Sequence, residues 1–171
     1  MRILFSILVL ALGAILSADA ADRGGAIAAM QALPPQFQNG VLRLSADEGQ
    51  PNPQTWYLVA RDVSKNSVPR NFTVVDAQIT SQSPALNLRT LVDAPSPISV
   101  NRIQVDSRDA WDIAQRFSSD QGRRLGSVSY LLQQQGRDAA PIWTVWCYDL
   151  TGRYIGVVSF LATTGAITSN R

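Results

Sequence analysis

The chain has 171 residues, 46% of them hydrophobic and 16% charged, with a formal net charge of +2. That suffices for a packed core and allows one ordinary domain or two small ones. The absence of histidine excludes Ser-His-Asp and Cys-His catalysis, the HExxH metal motif and a histidine pH switch. A single cysteine, Cys147, excludes an internal disulfide and a cysteine zinc cluster.

At the N-terminus Met1-Arg2 precedes an apolar run from Ile3 to Leu16 and then Ser17-Ala18-Asp19-Ala20-Ala21. A positive start, a short apolar stretch and small residues at Ala18 and Ala20 are the signature of a secretory signal peptide over residues 1–20. As a helix the run spans only about 21 Å, short of a hydrocarbon core of about 30 Å. No cysteine follows it to carry a lipid, and no later segment is long and apolar enough to span a bilayer. The mature protein is therefore expected to begin at Ala21, to be exported to the periplasm or beyond, and to hold no integral membrane segment.

Residues 21–93 follow. A helix is predicted over about Asp22–Leu33, weakened by Gly24-Gly25 and stopped by Pro34-Pro35. Strands are predicted at Val41–Ser45, Thr55–Asp62 and Asn71–Val75, with a turn at Asp76-Ala77-Gln78 before Ile79-Thr80. The segment Asp47-Glu48-Gly49-Gln50-Pro51-Asn52-Pro53 is polar and Pro-rich, hence expected to be an exposed loop. Alternate prolines in Asp93-Ala94-Pro95-Ser96-Pro97 mark residues 94–97 as an extended linker.

Residues 98–171 carry the clearer signals. Asp106-Ser107-Arg108-Asp109 offers capping side chains ahead of Ala110, Ile113, Ala114 and Phe117, whose spacing is one helix face, and Gly122 supplies the stop. Strands are predicted at Leu125–Gln133, Ile142–Tyr148 and Tyr154–Leu161, with a short last strand over Ala166-Ile167-Thr168 after the turn at Thr164-Gly165. Asp149-Leu150-Thr151-Gly152 has the residues of a type I turn closed by a left-handed glycine, so it should join a hairpin.

The two halves echo each other. A shift of 87 residues lays Trp56 on Trp143, Asp62 on Asp149, Leu44 on Leu131 and Met30 on Phe117. Fixed-period similarity of this kind points to a tandem duplication. Each copy would be a helix followed by an antiparallel meander, an α+β layer with the helix stripe on one sheet face.

The second copy resembles a PepSY domain. The resemblance rests on Asp106, Ala110, Ile113-Ala114, the strand Trp143-Thr144-Val145, Gly152, and the ending Ala162-Thr163-Thr164-Gly165-Ala166-Ile167. That family shows an acidic-x-x-x-Ala-x-x-Ile-Ala helix, a W-x-V strand and a closing D-A-x-T-G-x-(V/I) hairpin. The match covers residues 98–168, with 22–81 as a degenerate copy, and Leu161 stands where the closing motif usually has an acidic residue. What the resemblance implies is a cystatin-like α+β module acting outside the cytoplasmic membrane, in some relatives restraining secreted metallopeptidases. It implies no catalytic residues and no cofactor.

Little else in the chain points to chemistry. Asp106, Asp109 and Asp112 lie at a helix start, where capping and the helix dipole account for all three without a metal. Cys147 alternates with Trp143 and Val145 and is expected to be core filling. The glycines show no phosphate-loop spacing, and the Asn71-Phe72-Thr73 glycosylation triplet stays unassigned. Fourteen arginines and one lysine are scattered rather than clustered, which argues against nucleic acid.

The surface feature that stands out is aromatic. If Trp56, Leu58, Trp143 and Val145 face the helices, then Tyr57, Val59, Trp146 and Tyr148 face the other side, joined by Tyr130. A wet sheet face should be polar. Either the copies or Arg stems cover these residues, or they form a binding surface. The functional expectation is an exported, non-catalytic envelope binding module, a peptidase modulator being one form of it. The alternative is a structural, self-associating protein that uses the sheet face as its interface.

Overall fold

The computed structural model describes residues 24–65, 67–85, 95–136 and 138–171. The proposed signal peptide, the first residues of the predicted first helix, and residues 86–94 lie outside them. Among the described residues, no helix is long and apolar enough to cross a membrane.

The fold is α+β, with a single eight-stranded antiparallel sheet and a few short helices. In chain order the elements are α1 (Ala26–Gln31), α2 (Pro35–Gln38), β1 (Val41–Gly49), β2 (Thr55–Ala60), β3 (Arg70–Val75) and β4 (Gln78–Pro84). A single 3-10 turn at Val100–Arg102 leads to α3 (Ser107–Asp120), β5 (Leu125–Gln133), β6 (Ile142–Asp149), β7 (Tyr154–Leu161) and β8 (Ile167–Asn170). The strand order is β4-β3-β2-β1-β5-β6-β7-β8. Each half thus contributes a four-strand meander, and the meanders join where β1 pairs antiparallel with β5. Ile98 then bridges back to Val41.

One sheet face carries the core. On β6 Trp143, Val145 and Cys147 are buried, and the same alternation buries Val128, Tyr130 and Leu132 on β5 and Val158 and Phe160 on β7. Trp56, Leu58 and Ala60 on β2 and Phe72 and Val74 on β3 extend the layer into the first half. Ala26, Ala29 and Met30 of α1, and Ala110, Ile113, Ala114 and Phe117 of α3, pack into the same cluster. Both helices therefore cover one face and leave the other open.

The helices are anchored unequally. Asp106 caps α3, accepting from Ser107 N at 2.7 Å, and Asp109 Oδ2 accepts from Asp106 N at 3.2 Å to complete a capping box. Helix α1 starts at Gly25, which has no side chain to cap it. Its free donor is met from the other half, since Ile27 N donates to Asp106 Oδ1 at 3.2 Å. A Cβ on Gly25 would collide with that same carboxylate, so the glycine leaves room for a cap supplied across the molecule. Each tryptophan ties its own half together. Trp56 Nε1 donates to Gly24 O at 2.8 Å and Trp143 Nε1 to Val105 O at 2.9 Å, in each case the residue just before a helix cap.

Several boundaries differ from the sequence expectation. β1 runs on to Gly49 through residues expected in a loop, because β5 offers ladder partners as far as Val128 opposite Gly49. Pro34-Pro35 stops α1 but starts α2, with proline in the first turn where its missing N–H costs nothing. Phe37 of α2 packs edge-on against Phe72 at 5.1 Å. The Asp149–Gly152 turn is as expected: Gly152 has φ +77°, and Gly152 N donates to Asp149 O at 2.9 Å.

Candidate functional site

The open face of the sheet is the candidate surface, and its two halves differ in chemistry. In the second half Trp146 lies between Ser129 and Val157, and Ile142 between Gln133 and Leu161. Tyr148 pairs with Tyr154, whose ring meets it edge-on at 5.9 Å. Trp146, Tyr148, Val157 and Leu161 are half-buried by one another and by neighbouring strands, while Tyr154 is 53% exposed. This is an aromatic and apolar strip on β6 and β7, crossed between Ile142 and Trp146 by the polar pair Thr144 and Ser159, where Ser159 Oγ donates to Thr144 Oγ1 at 3.3 Å. In the first half Tyr57, 48% exposed, lies between Ser45 and Thr73, and Val59 between Arg43 and Asn71. Here a single aromatic, with Val59 beside it on β2, stands among polar side chains. β2 and β6 are three strand spacings apart, about 14 Å, so Tyr57 and Trp146 belong to separate patches.

Tyr130 belongs to neither, which corrects the sequence expectation. It is 1% exposed and points to the helix side, with its ring 5.7 Å from Trp56 and 5.9 Å from Trp143. Its hydroxyl lies 3.1 Å from Gln50 O and 3.3 Å from Ser107 O. Burial pushes its phenol above the ordinary range, so it stays protonated and donates. The reason for the error is register. Leu58 pairs with Leu44 and Val145 with Tyr130, so matching Leu58 to Val145 matches Leu44 to Tyr130 and not to Leu131. The shift that aligns the tryptophans is one residue wrong on β1 and β5, and a one-residue slip exchanges the faces of a strand.

The remaining candidates are structural. Asp106 and Asp109 cap α3, while Asp112 is exposed on its surface. Among the described residues no cluster of His, Cys, Asp and Glu could hold a metal ion. Cys147 is fully buried, and burial raises its thiol to about 11, so it remains a neutral thiol in the core. Sequence reasoning missed Leu131, Ile142, Val157 and Leu161 as parts of the open face. Their alternation with Leu132, Trp143, Val158 and Phe160 was the available signal.

No family model, no curated protein and no solved structure matches this chain.

Proposed function

We propose that the protein is an exported, non-catalytic binding module of the bacterial cell envelope, and that the aromatic strip on β6 and β7 docks a protein partner. The observation that carries this reading is the placement of Trp146 and Tyr148 on the sheet face away from both helices. Half-buried aromatics beside Ile142, Val157 and Leu161 are the residue types that anchor interfaces. Export is supported by the leader-like residues 1–20.

The PepSY-like, cystatin-like reading and the tandem duplication belong to the same proposal. They are supported by the common order of a helix and then four antiparallel strands in each half. The matching indole bonds of Trp56 and Trp143 add to that support. On this reading a secreted peptidase is the partner to try first. The alternative, self-association through the strip, is favoured by Trp146, Tyr148 and Val157 lying together on adjacent β6 and β7, which a second copy could mirror about a two-fold axis.

Replacing Trp146 and Tyr148 together by Thr tests both. Threonine suits a strand, so stability should fall by no more than about 1 kcal/mol. Losing the aromatic anchors should weaken the association by about thirtyfold or more, equivalent to about 2 kcal/mol. Sedimentation velocity of wild type and variant reads self-association, and titration with co-resident envelope peptidases reads the partner. A variant that binds as tightly as wild type removes the strip from the function.

A further inference from the structure

One end of the second half gathers charge that the sequence scatters. The α3–β5 connection, the β6–β7 hairpin and the residue after β8 meet there. Arg123 Nη1 lies 3.3 Å from Asp149 Oδ2, which sets Arg123 and Arg124 beside the hairpin. Arg153 closes that hairpin, its carbonyl accepting from Asp149 N at 2.8 Å. Arg171 pairs with Val157 of β7 through bonds of 2.8 and 3.0 Å. Arg116 precedes Phe117, whose ring packs over Gly156 of β7. Five arginines against Asp120 and Asp149 give this end a formal charge of +3, more than the +2 of the whole chain. Among the described residues, Arg123 alone of the five has an ion pair.

The same end presents apolar side chains. Leu150 stands on the hairpin turn and, at 69%, is the most exposed large hydrophobic of the described residues. Tyr154, also exposed, follows Arg153. The shape narrows the occupant. A protruding turn offers no groove for an extended peptide, whereas a soft interface admits it. There a leucine enters the acyl boundary, a tyrosine ring sits at headgroup level, and arginines reach the phosphates while their stems cover apolar surface. The positive balance selects an anionic surface over a neutral one.

We propose that this end docks peripherally on an anionic bilayer, with Leu150 and Tyr154 in the interface and Arg116, Arg124, Arg153 and Arg171 on lipid phosphates. The inference goes beyond the protein partner of the aromatic strip and shares only Tyr154 with it. A vesicle assay contains no protein partner, so it can fail without touching that reading.

Co-sedimentation with vesicles of the chain from Ala21, which holds every described residue, is the test. Vesicles of equal phosphatidylglycerol and phosphatidylcholine should bind it, and phosphatidylcholine alone about a hundredfold more weakly. Raising the salt to about 0.5 M should release it by screening. Arg124→Gln with Arg153→Gln should weaken binding about twentyfold, whereas Arg61→Gln with Arg70→Gln, the same charge loss in the first half, should weaken it by no more than about twofold. Leu150→Ser should weaken it about fivefold. All these side chains are exposed, so thermal midpoints should stay within a few degrees of wild type. The proposal is overturned by no binding to anionic vesicles at millimolar lipid, by equal binding to neutral ones, by equal losses in the two arginine pairs, or by no loss in Leu150→Ser. It is also overturned if polyglutamate binds as tightly as the vesicles, which would make this end a site for an acidic protein segment.

Discussion

Each half of the molecule leads from helix into a four-strand antiparallel meander, and yet the two solve the same problem by different means. The second half has a 14-residue helix with a complete capping box and three long strands of regular alternation. The first half has a 6-residue helix with no cap of its own, hemmed between glycines and prolines. Isolated helices that short are not stable in water, so α1 depends on what it packs against and on the carboxylate it borrows. Asp106 serves both helix starts, and Trp56 lies in one aromatic cluster with Tyr130 and Trp143 of the other half. The lesson is that the first half is completed by the second rather than a weaker version of it.

The largest effect should come from the tryptophans. Trp143→Ala and Trp56→Ala should each cost about 3–5 kcal/mol in urea unfolding, as large aromatic core truncations do. Their rings are 6.4 Å apart, so the double variant should cost less than the sum, because both deletions open one shared cavity. A Trp56→Ala protein that unfolds in two separate steps would break the picture of one core.

Asp106→Ala comes next, at about 2 kcal/mol, because it uncaps two helices where an ordinary cap loss is about 1. Asp106→Asn keeps the acceptor and should recover most of the loss. Hydrogen exchange at the α1 amides should rise in Asp106→Ala along with that at the start of α3. If only α3 responds, the borrowed cap contributes nothing to the first half.

A smaller and opposite effect is expected at the β3–β4 turn, where Asp76 and Ala77 have φ of +48° and +59°. These are the left-handed values of a two-residue hairpin turn, which Ala adopts at a cost. Ala77→Gly should therefore stabilise by about 1 kcal/mol, raising the thermal midpoint by a few degrees.

The smallest effect lies at the β6–β7 hairpin of the second half. Asp149 accepts from Thr151 Oγ1 and from the N–H groups of Thr151 and Arg153, at 2.6, 2.8 and 3.0 Å. The Thr151 hydroxyl and the Arg153 amide, with help from Arg123, bring its carboxyl down to about 2 from 3.8. A depressed folded value means stability fully present above the unfolded value and lost as pH falls through the folded one. The advantage in thermal midpoint of wild type over Asp149→Asn should thus hold near pH 6 and shrink between pH 4 and 2. An advantage that does not change with pH would show that the ionised form contributes nothing.

Much of the second half was legible in the sequence because its signals are local. The boundaries of β5 and β7, the cap at Asp106 and the Asp149–Gly152 turn follow from side chains acting within a few residues of themselves. The alternation of Trp143, Val145 and Cys147 likewise puts Trp146 and Tyr148 on the opposite face by strand geometry alone. Tertiary structure decided the rest. The alternation of Ser127, Ser129 and Gln133 with Val128 and Leu132 along β5 already turns Tyr130 inward, but the one-residue offset between the β1–β2 and β5–β6 pairs, which misaligned it between the halves, is set only where the strands meet. The extension of β1 to Gly49 depends on β5 lying beside it, and the start of α1 on a carboxylate 79 positions along the chain. Caps and turns are written in neighbouring residues, whereas register and borrowed hydrogen bonds exist only once distant strands meet.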